Sequence, residues 1–473
     1  MSASNCSPDD TMPSRNTTSS YAPCNEPSAT SSGTATVASR DSSALSLIHE
    51  YDLASLSGPQ LHQAKRCLLD LLGVAAGATR TPLAAKAARH VTRQHGGDVP
   101  LLFASGTASA SGVALQGGWL IDALDAHDGQ VLTKGHAGVA LLPGLLALPE
   151  TRELSGLDFL ALLAYGYEVA TRAGIALHAQ SPDYHTSGAW NALGVAAVTA
   201  RLRGFDRETL HHALGIAEFY GPRSQMMRCI DHPTMLKDGS GWGAMTGISA
   251  ALLAEDGFTG APALTITAPE VAALWHDLGH RHYLFDQYFK AYPVCRWAQP
   301  AVEAVLSLAQ AVGEPDRVTR IEIITFHQGK RLHVTHPETT EQAQYSLPWS
   351  VACALGRGVV DVDGVCDALD DPLLKALASR VVIEEDDGFN ARFPAERWAR
   401  ARIVLENGDV LESADHEALG NPDKPLTDAQ VLSKYQALAE PVLGERATRL
   451  RDVVMSFETR PVSELLALLG APS

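Results

Sequence analysis

Four stretches of this chain gather side chains able to move protons or bind anions. The first runs Asp122-Ala-Leu-Asp125-Ala-His127-Asp128 and continues into Thr133-Lys134-Gly-His136. Its three acids and two histidines surround a glycine-containing loop between two apolar segments, a composition that suits acid–base chemistry and equally a solvated interhelical loop. The second, Asp183-Tyr184-His185-Thr186-Ser187, opens a segment of small residues. Ser187 or Thr186 can cap a helix there and hold His185 beside its N-terminus, where a purely structural histidine also fits. The third, His232-Pro-Thr-Met-Leu-Lys237-Asp-Gly-Ser240-Gly-Trp-Gly, sets a lysine at the mouth of a glycine-rich helix, an arrangement suited to an anion. No strand precedes these glycines and their spacing is not that of a dinucleotide loop. The fourth, Phe289-Lys290-Ala-Tyr292-Pro-Val-Cys295-Arg296-Trp-Ala-Gln299, is a proline-marked turn feeding a helix, and a domain junction reads the same way. His276 and His280 have the spacing of helical zinc ligands, but Asp277 stands where the metalloprotease pattern needs Glu, and Gly279 marks a helix end. No metal site is expected.

The elements that must position these residues are mostly helical from Ala44 to about Thr267. Apolar residues recur three and four apart at Leu61, Ala64, Leu68, Leu71, Leu72 and Val74, and similar patterns cover 107–124, 136–148, 156–177, 187–203 and 239–254. Dense small residues on the last two predict closely packed, buried helices. After about residue 280 the period changes. Residues 318–326, 381–384 and 401–405 alternate as strands do, and Asn407-Gly408 turns into Val410-Leu411-Glu412 as a hairpin. Helical patterns lie near 297–312, 341–356 and 371–379, and again over 427–440 and 445–470. The fold class is therefore mainly α with a second α+β domain: an all-helical large domain, 44–270, interrupted by a smaller α+β lid domain, 271–425, with helices over 426–473 returning to the first.

Residues 1–43 are rich in Ser, Thr, Asn and Pro and cannot bury enough apolar surface to order themselves. They lack the apolar stretch of a signal peptide, and their few arginines and several acids fit a transit peptide poorly. No apolar run is long enough to span a membrane. Seven scattered cysteines without a CxxC pair argue for reduced thiols and a cytoplasmic setting, and against an iron–sulfur cluster. A net charge of −17 opposes nucleic-acid binding. It also means that a pocket for an anionic substrate must concentrate positive charge against the field of the molecule.

Taken in order, the constellations resemble the MmgE/PrpD family, which includes 2-methylcitrate dehydratases, cis-aconitate decarboxylases and iminodisuccinate epimerases. Asp125-Ala-His-Asp128 resembles the family's D-[FY]-D-D loop and His136 the histidine closing it. Tyr184-His185 resembles its F-H pair, and Met235-Leu-Lys237 followed by glycines its lysine motif, with Gly257-Phe-Thr-Gly260 as the usual sequel. Tyr292-Pro-Val-Cys295-Arg296 is similar to Y-P-x-C-x, and Pro337-Glu-Thr-Thr with Gln344-Tyr-Ser346 to P-x-T…A-x-[FY]-S. The resemblance runs from about residue 45 to the end. His127, Gly129 and Ala137 depart from the family's acid, hydroxyl residue and proline. The long loop is more like the epimerase branch, while Trp297-Ala-Gln299-Pro-Ala-Val-Glu303 is more like the dehydratase branch.

The resemblance implies a cofactor-independent lyase, usually a homodimer, that moves a proton next to a carboxylate of a small di- or tricarboxylate. A 2-methylcitrate dehydratase-like hydro-lyase comes first, then a cis-aconitate decarboxylase-like carboxy-lyase or an epimerase-like isomerase, and more distantly an inactive binding protein. It implies His136 and His185 as the proton-transfer pair, Asp125 orienting or tuning one of them, and Lys237 on a substrate carboxylate. Lys134, Cys295, Arg296 and His333 are the implied substrate-binding residues.

Overall fold

The computed structural model describes residues 42–472. The tail expectation falls outside these, except that residues 42 and 43 already belong to a helix, Ser42–His49. Helix α1 (Gly58–Ala78) starts at a reciprocal capping box between Ser57 and Gln60 and buries Leu68, Leu71 and Leu72 completely. It is followed by α2 (Ala110–Asp122), α3 (Gly138–Ala147), α4 (Gly156–Gln180), α5 (Gly188–Leu202), α6 (Arg207–Tyr220) and α7 (Ser240–Glu255). Glycine sets the approach of α5 to α7. A Cβ on Gly243 would stand 2.1 Å from Asn191 Oδ1 and 2.7 Å from the Cα of Gly188, so any larger residue would separate the helices.

A second core forms around a five-stranded sheet with β1 (Val318–Thr325), β2 (Val381–Glu385), β3 (Trp398–Leu405), β4 (Val410–Glu412) and β5 (His416–Glu417). The order is β2-β1-β3-β4, with β5 also pairing β3; β1 and β2 run parallel and the other pairs antiparallel. Strand β3 alternates perfectly, turning Ala399, Ala401, Ile403 and Leu405 inward against α8 (Gln299–Leu306) and α9 (Leu347–Arg357). The hairpin read from Asn407-Gly408 is present, with Gly408 at φ +88°. Helix α10 (Asp428–Leu443) and the segments after it share the first core, Tyr435 lying over Gly73 of α1.

Three expected helices are broken. The 297–312 stretch divides after Leu306, and 341–356 divides at Ser346, whose hydroxyl accepts from Trp349 N and caps α9. The 445–470 stretch splits into Glu445–Met455, a 3-10 turn and Val462–Leu466, because Pro461 cannot continue a helix. No described helix is long and apolar enough to cross a membrane.

Candidate active site

The loop between α2 and α3 is fixed from several sides. Gly129 and Gln130 pair antiparallel with Tyr288 and Gln287, which clips the loop to the segment leading into the second core. A Cβ on Gly129 would lie 2.5 Å from the Tyr288 hydroxyl and 2.6 Å from His136 Nδ1, so the ring of Tyr288 takes the space a larger residue would fill. Lys290 follows and its buried ammonium meets Asp125 twice, at 2.6 Å from Oδ1 and 2.7 Å from the backbone oxygen. Burial opposes the charge on Lys290, yet Asp125 together with Tyr288 and Cys295 outweighs it and holds the ammonium pKa above its ordinary value. Only four non-glycine residues among those described have positive φ, and Asp125, Lys134 and Lys237 are three of them. Such strain persists only where surrounding contacts enforce it, and here it collects at one site.

His136 donates its Nδ1 proton to the backbone oxygen of Asp128 at 2.5 Å, an assignment that follows because a carbonyl can only accept. Its Nε2 therefore carries the lone pair. Burial, then the charges of His127 and Lys290, push its pKa well below the ordinary value, so the ring is neutral at pH 7. Beneath it Asp128 is pushed up to about 7 by burial and by Asp70, and Tyr167 donates to its Oδ2 at 2.6 Å. Asp70 in turn is held by Lys434 of α10.

Lys237, two residues before the left-handed Gly239 that opens α7, is 3% exposed. Among the described residues its ammonium makes a single hydrogen bond, to Gln344 Oε1 at 2.5 Å, and it stands 4.8 Å from the centre of the Tyr345 ring. The amide of Gln344 is oriented by donating to Ala123 O and Thr340 Oγ1. Next in sequence, Asp238 accepts from the Ser187 hydroxyl and donates its N–H to Asp122 Oδ2 at 3.2 Å. Burial and the neighbouring Asp122 push Asp238 up to about 8, while Asp122, although buried, is held below the usual carboxylate range by His127 and Lys237. Two adjacent carboxyls are thereby split into one acid and one anion.

These groups converge on a cavity of about 40 Å³, lined among others by Asp125, His136, Asp238, Lys290, Cys295 and Tyr345. Four cationic side chains, those of Lys134, Lys290, Arg296 and Arg397, line it against two carboxyls, and Asp238 is the one held as an acid at pH 7. The site thus concentrates positive charge inside a chain of net charge −17. Burial pushes the Cys295 thiol up to about 12, so it is no thiolate. A larger groove of about 690 Å³, beside Leu101, Pro143 and Leu469, is lined by no histidine, cysteine or lysine.

The structure gathers Asp125, His136, Lys134, Cys295 and Arg296 at the cavity, with Lys237 behind Gln344 and Tyr345. It departs from expectation in five respects. The carboxylate of Asp125 pairs with Lys290, and what orients His136 is the backbone of Asp128. The two terminal NH groups of Arg296 are spent on the 418–421 loop, donating to Leu419 O at 2.6 Å and Asn421 Oδ1 at 2.5 Å, so it shapes the wall. His333 is exposed, in a separate groove with Arg331 and Lys330. His185 flanks the Lys134 side without lining the cavity: its ring lies 3.3 Å from Asp183 O, and the neighbouring Tyr184 lies 4.2 Å beneath the Lys134 ammonium. Ser187 does not cap α5 because its hydroxyl is spent on Asp238.

Sequence reading did not single out Lys290, Asp238, Tyr345 or Arg397, although the first three stand inside motifs already quoted. Arg397 had no local signal, since only the turn before β3 brings it to the cavity. Ligand atoms of Asp122, Asp125 and His127 lie within 4.8 Å of one another. Lys290 engages Asp125, and His127 and the Asp238 N–H engage Asp122, so the chain's own donors already occupy this acidic set.

Two family models match the chain, the MmgE/PrpD N-terminal domain over residues 45–272 and the MmgE/PrpD C-terminal domain over 292–459. The chain belongs to the MmgE/PrpD family. Within it, the chain is similar to a cis-aconitate decarboxylase-like protein, oryM, of Aspergillus oryzae, 26% identical over 87% of this chain and 93% of that one. It is similar also to cis-aconitate decarboxylases of Aspergillus terreus, 23% identical over 71% and 76%, and of Homo sapiens, 24% over 90% and 93%. As an MmgE/PrpD member with these relatives, it is a lyase-type protein.

Proposed function

We propose that this MmgE/PrpD protein is a carboxy-lyase that removes CO₂ from a small unsaturated polycarboxylate of the cis-aconitate kind. The carrying observation is the buried cavity in which unspent cations meet a neutral imidazole and a protonated carboxyl, and the decarboxylase names of its relatives support it. In the reaction the carbon–carbon bond to one carboxylate breaks and CO₂ leaves. The electron pair shifts through the double bond onto the carbon beside a second carboxylate. Lys290, which lines the cavity and keeps one N–H beyond its two bonds to Asp125, stabilises that enolate-like charge, Lys237 reinforces it from behind Gln344, and Asp238 delivers the proton, to be reprotonated from water. His136 stays neutral and accepts a hydrogen bond through Nε2. The cavity has room for about one water, so substrate entry requires the second core to move from the first.

The free Nε2 of His136 also suits abstraction of an α-proton, which favours as a second reading the 2-methylcitrate dehydratase-like hydro-lyase, with Asp238 protonating the departing hydroxyl. NMR in D₂O with cis-aconitate, citrate, 2-methylcitrate and iminodisuccinate separates these. Loss of CO₂ from cis-aconitate with one deuteron gained is expected. Loss of water from 2-methylcitrate without CO₂ would overturn the first reading, and exchange without net turnover would point to the isomerase. A homodimer and a cytoplasmic location belong to the same proposal, and light scattering on the purified chain tests the dimer.

A further inference from the structure

Arg397 and Arg296 line the same cavity, both are buried, and their situations are opposite. Arg296 donates to the backbone oxygens of Leu419 and Ala418 and to the side chains of Asn421 and Gln299. Arg397, just before β3 and 6% exposed, has no hydrogen bond or ion pair among the described residues. The Nε of both arginines is buried without a partner, so the contrast lies in the terminal NH groups, engaged in Arg296 and unengaged in Arg397. Its one charge contact is the Phe393 ring, 5.8 Å away. A buried guanidinium without acceptors is costly, and the usual remedy is a carboxylate. The groups acting on it are Tyr288, Cys295, Tyr184 and Glu417, and with none of the described residues does it form an ion pair.

A second cation strengthens the case. Lys134, from the α2–α3 loop of the other core, lines the same cavity, and its ammonium's only hydrogen bond among the described residues is to Leu132 O at 3.3 Å. Burial and then the charge of Arg397 lower its pKa. Two unneutralised cations from separate parts of the fold, near enough to disfavour one another, leave a gap that an anion fills.

We propose that Arg397 binds a substrate carboxylate remote from the one that reacts, with Lys134 at its side, and so selects a polycarboxylate over a monocarboxylate. This rests on the substrate class proposed above. A planar two-pronged donor suits a carboxylate better than an ammonium does.

The test is equilibrium binding of propane-1,2,3-tricarboxylate, a saturated probe, to the full chain and to its Arg397→Gln and Arg397→Lys variants, beside thermal melting. Wild type should bind it. R397Q should bind about 10- to 100-fold more weakly, the usual worth of a charged hydrogen-bond pair, while melting at or above the wild-type temperature. R397K should bind several-fold more weakly. Wild-type affinity in R397Q, or in R397K should R397Q fail to fold, overturns the assignment of Arg397 alone. A lowered melting temperature with unchanged affinity does the same, marking a structural arginine. A wild-type chain that binds no tricarboxylate overturns the substrate class itself, and this assignment with it.

Discussion

At the residue scale the site divides its labour by environment. His136 and Asp238 are both buried, yet burial makes one a neutral base and the other a neutral acid, because each loses the charged form. His136→Asn and Lys237→Ala should each lower kcat about a hundredfold or more with melting unchanged, and steady-state rates beside calorimetry check this. The proton on Asp238 also predicts a pH profile. Its folded pKa is raised to about 8, so the donor is present below that and lost as pH rises through it, and kcat should fall on the alkaline side with an apparent pKa near 8. In Asp238→Asn the residual kcat should be low and should lose that limb. A limb that survives the substitution would take the proton donor elsewhere.

At the scale of elements, the decisive object is the α2–α3 loop and what holds it. The Asp125–Lys290 pair ties that loop to the segment entering the second core, and both charges are buried. Asp125→Asn or Lys290→Met strands one charge, so each should cost roughly 3–5 kcal/mol of stability, with the double variant recovering part of it, as denaturant melts will show. The periodic runs behind α2 to α7 were legible because an amphipathic or small-residue period is local information. The breaks at Ser307, Ser346 and Pro461 were less so, since the periods run through them. Among the chemistry-bearing residues, the motif neighbours were readable, whereas the pairing of Asp125 with Lys290 joins residues far apart in sequence and leaves no periodic trace.

Over the whole molecule, buried carboxyls make stability depend on pH in a definite direction. Asp128 and Glu168 are pushed up to about 7 and Asp238 to about 8, each chiefly by burial. The folded chain therefore holds protons that the unfolded chain has released above pH ~4, so stability falls as pH rises toward 8. His136 and His178, whose pKa values are lowered, act with the opposite sign, but only below their ordinary value of ~6.5. Between pH ~6.5 and 8 only the carboxyl effect remains, and Tm should decline steadily across that window. A flat or rising Tm there would mean these carboxyls are ionised in the folded state. Turnover should not respond to EDTA, because the acidic set is already engaged by Lys290, His127 and the Asp238 N–H.

The sequence by itself determined the helical body, the smaller sheet-bearing part, the family, and the neighbourhoods around residues 125–136, 237 and 295, all of which are written in short periods and contiguous motifs. Only the tertiary structure decided which of those groups are free to act. Arg296 and Arg397 are the same residue type, and nothing local tells which one finds acceptors. The 418–421 loop folds over the first and leaves the second bare. Charge state was decided in the same way, because a carboxyl becomes an acid only when distant segments remove its water and set another carboxyl beside it, as Asp122 is set beside Asp238.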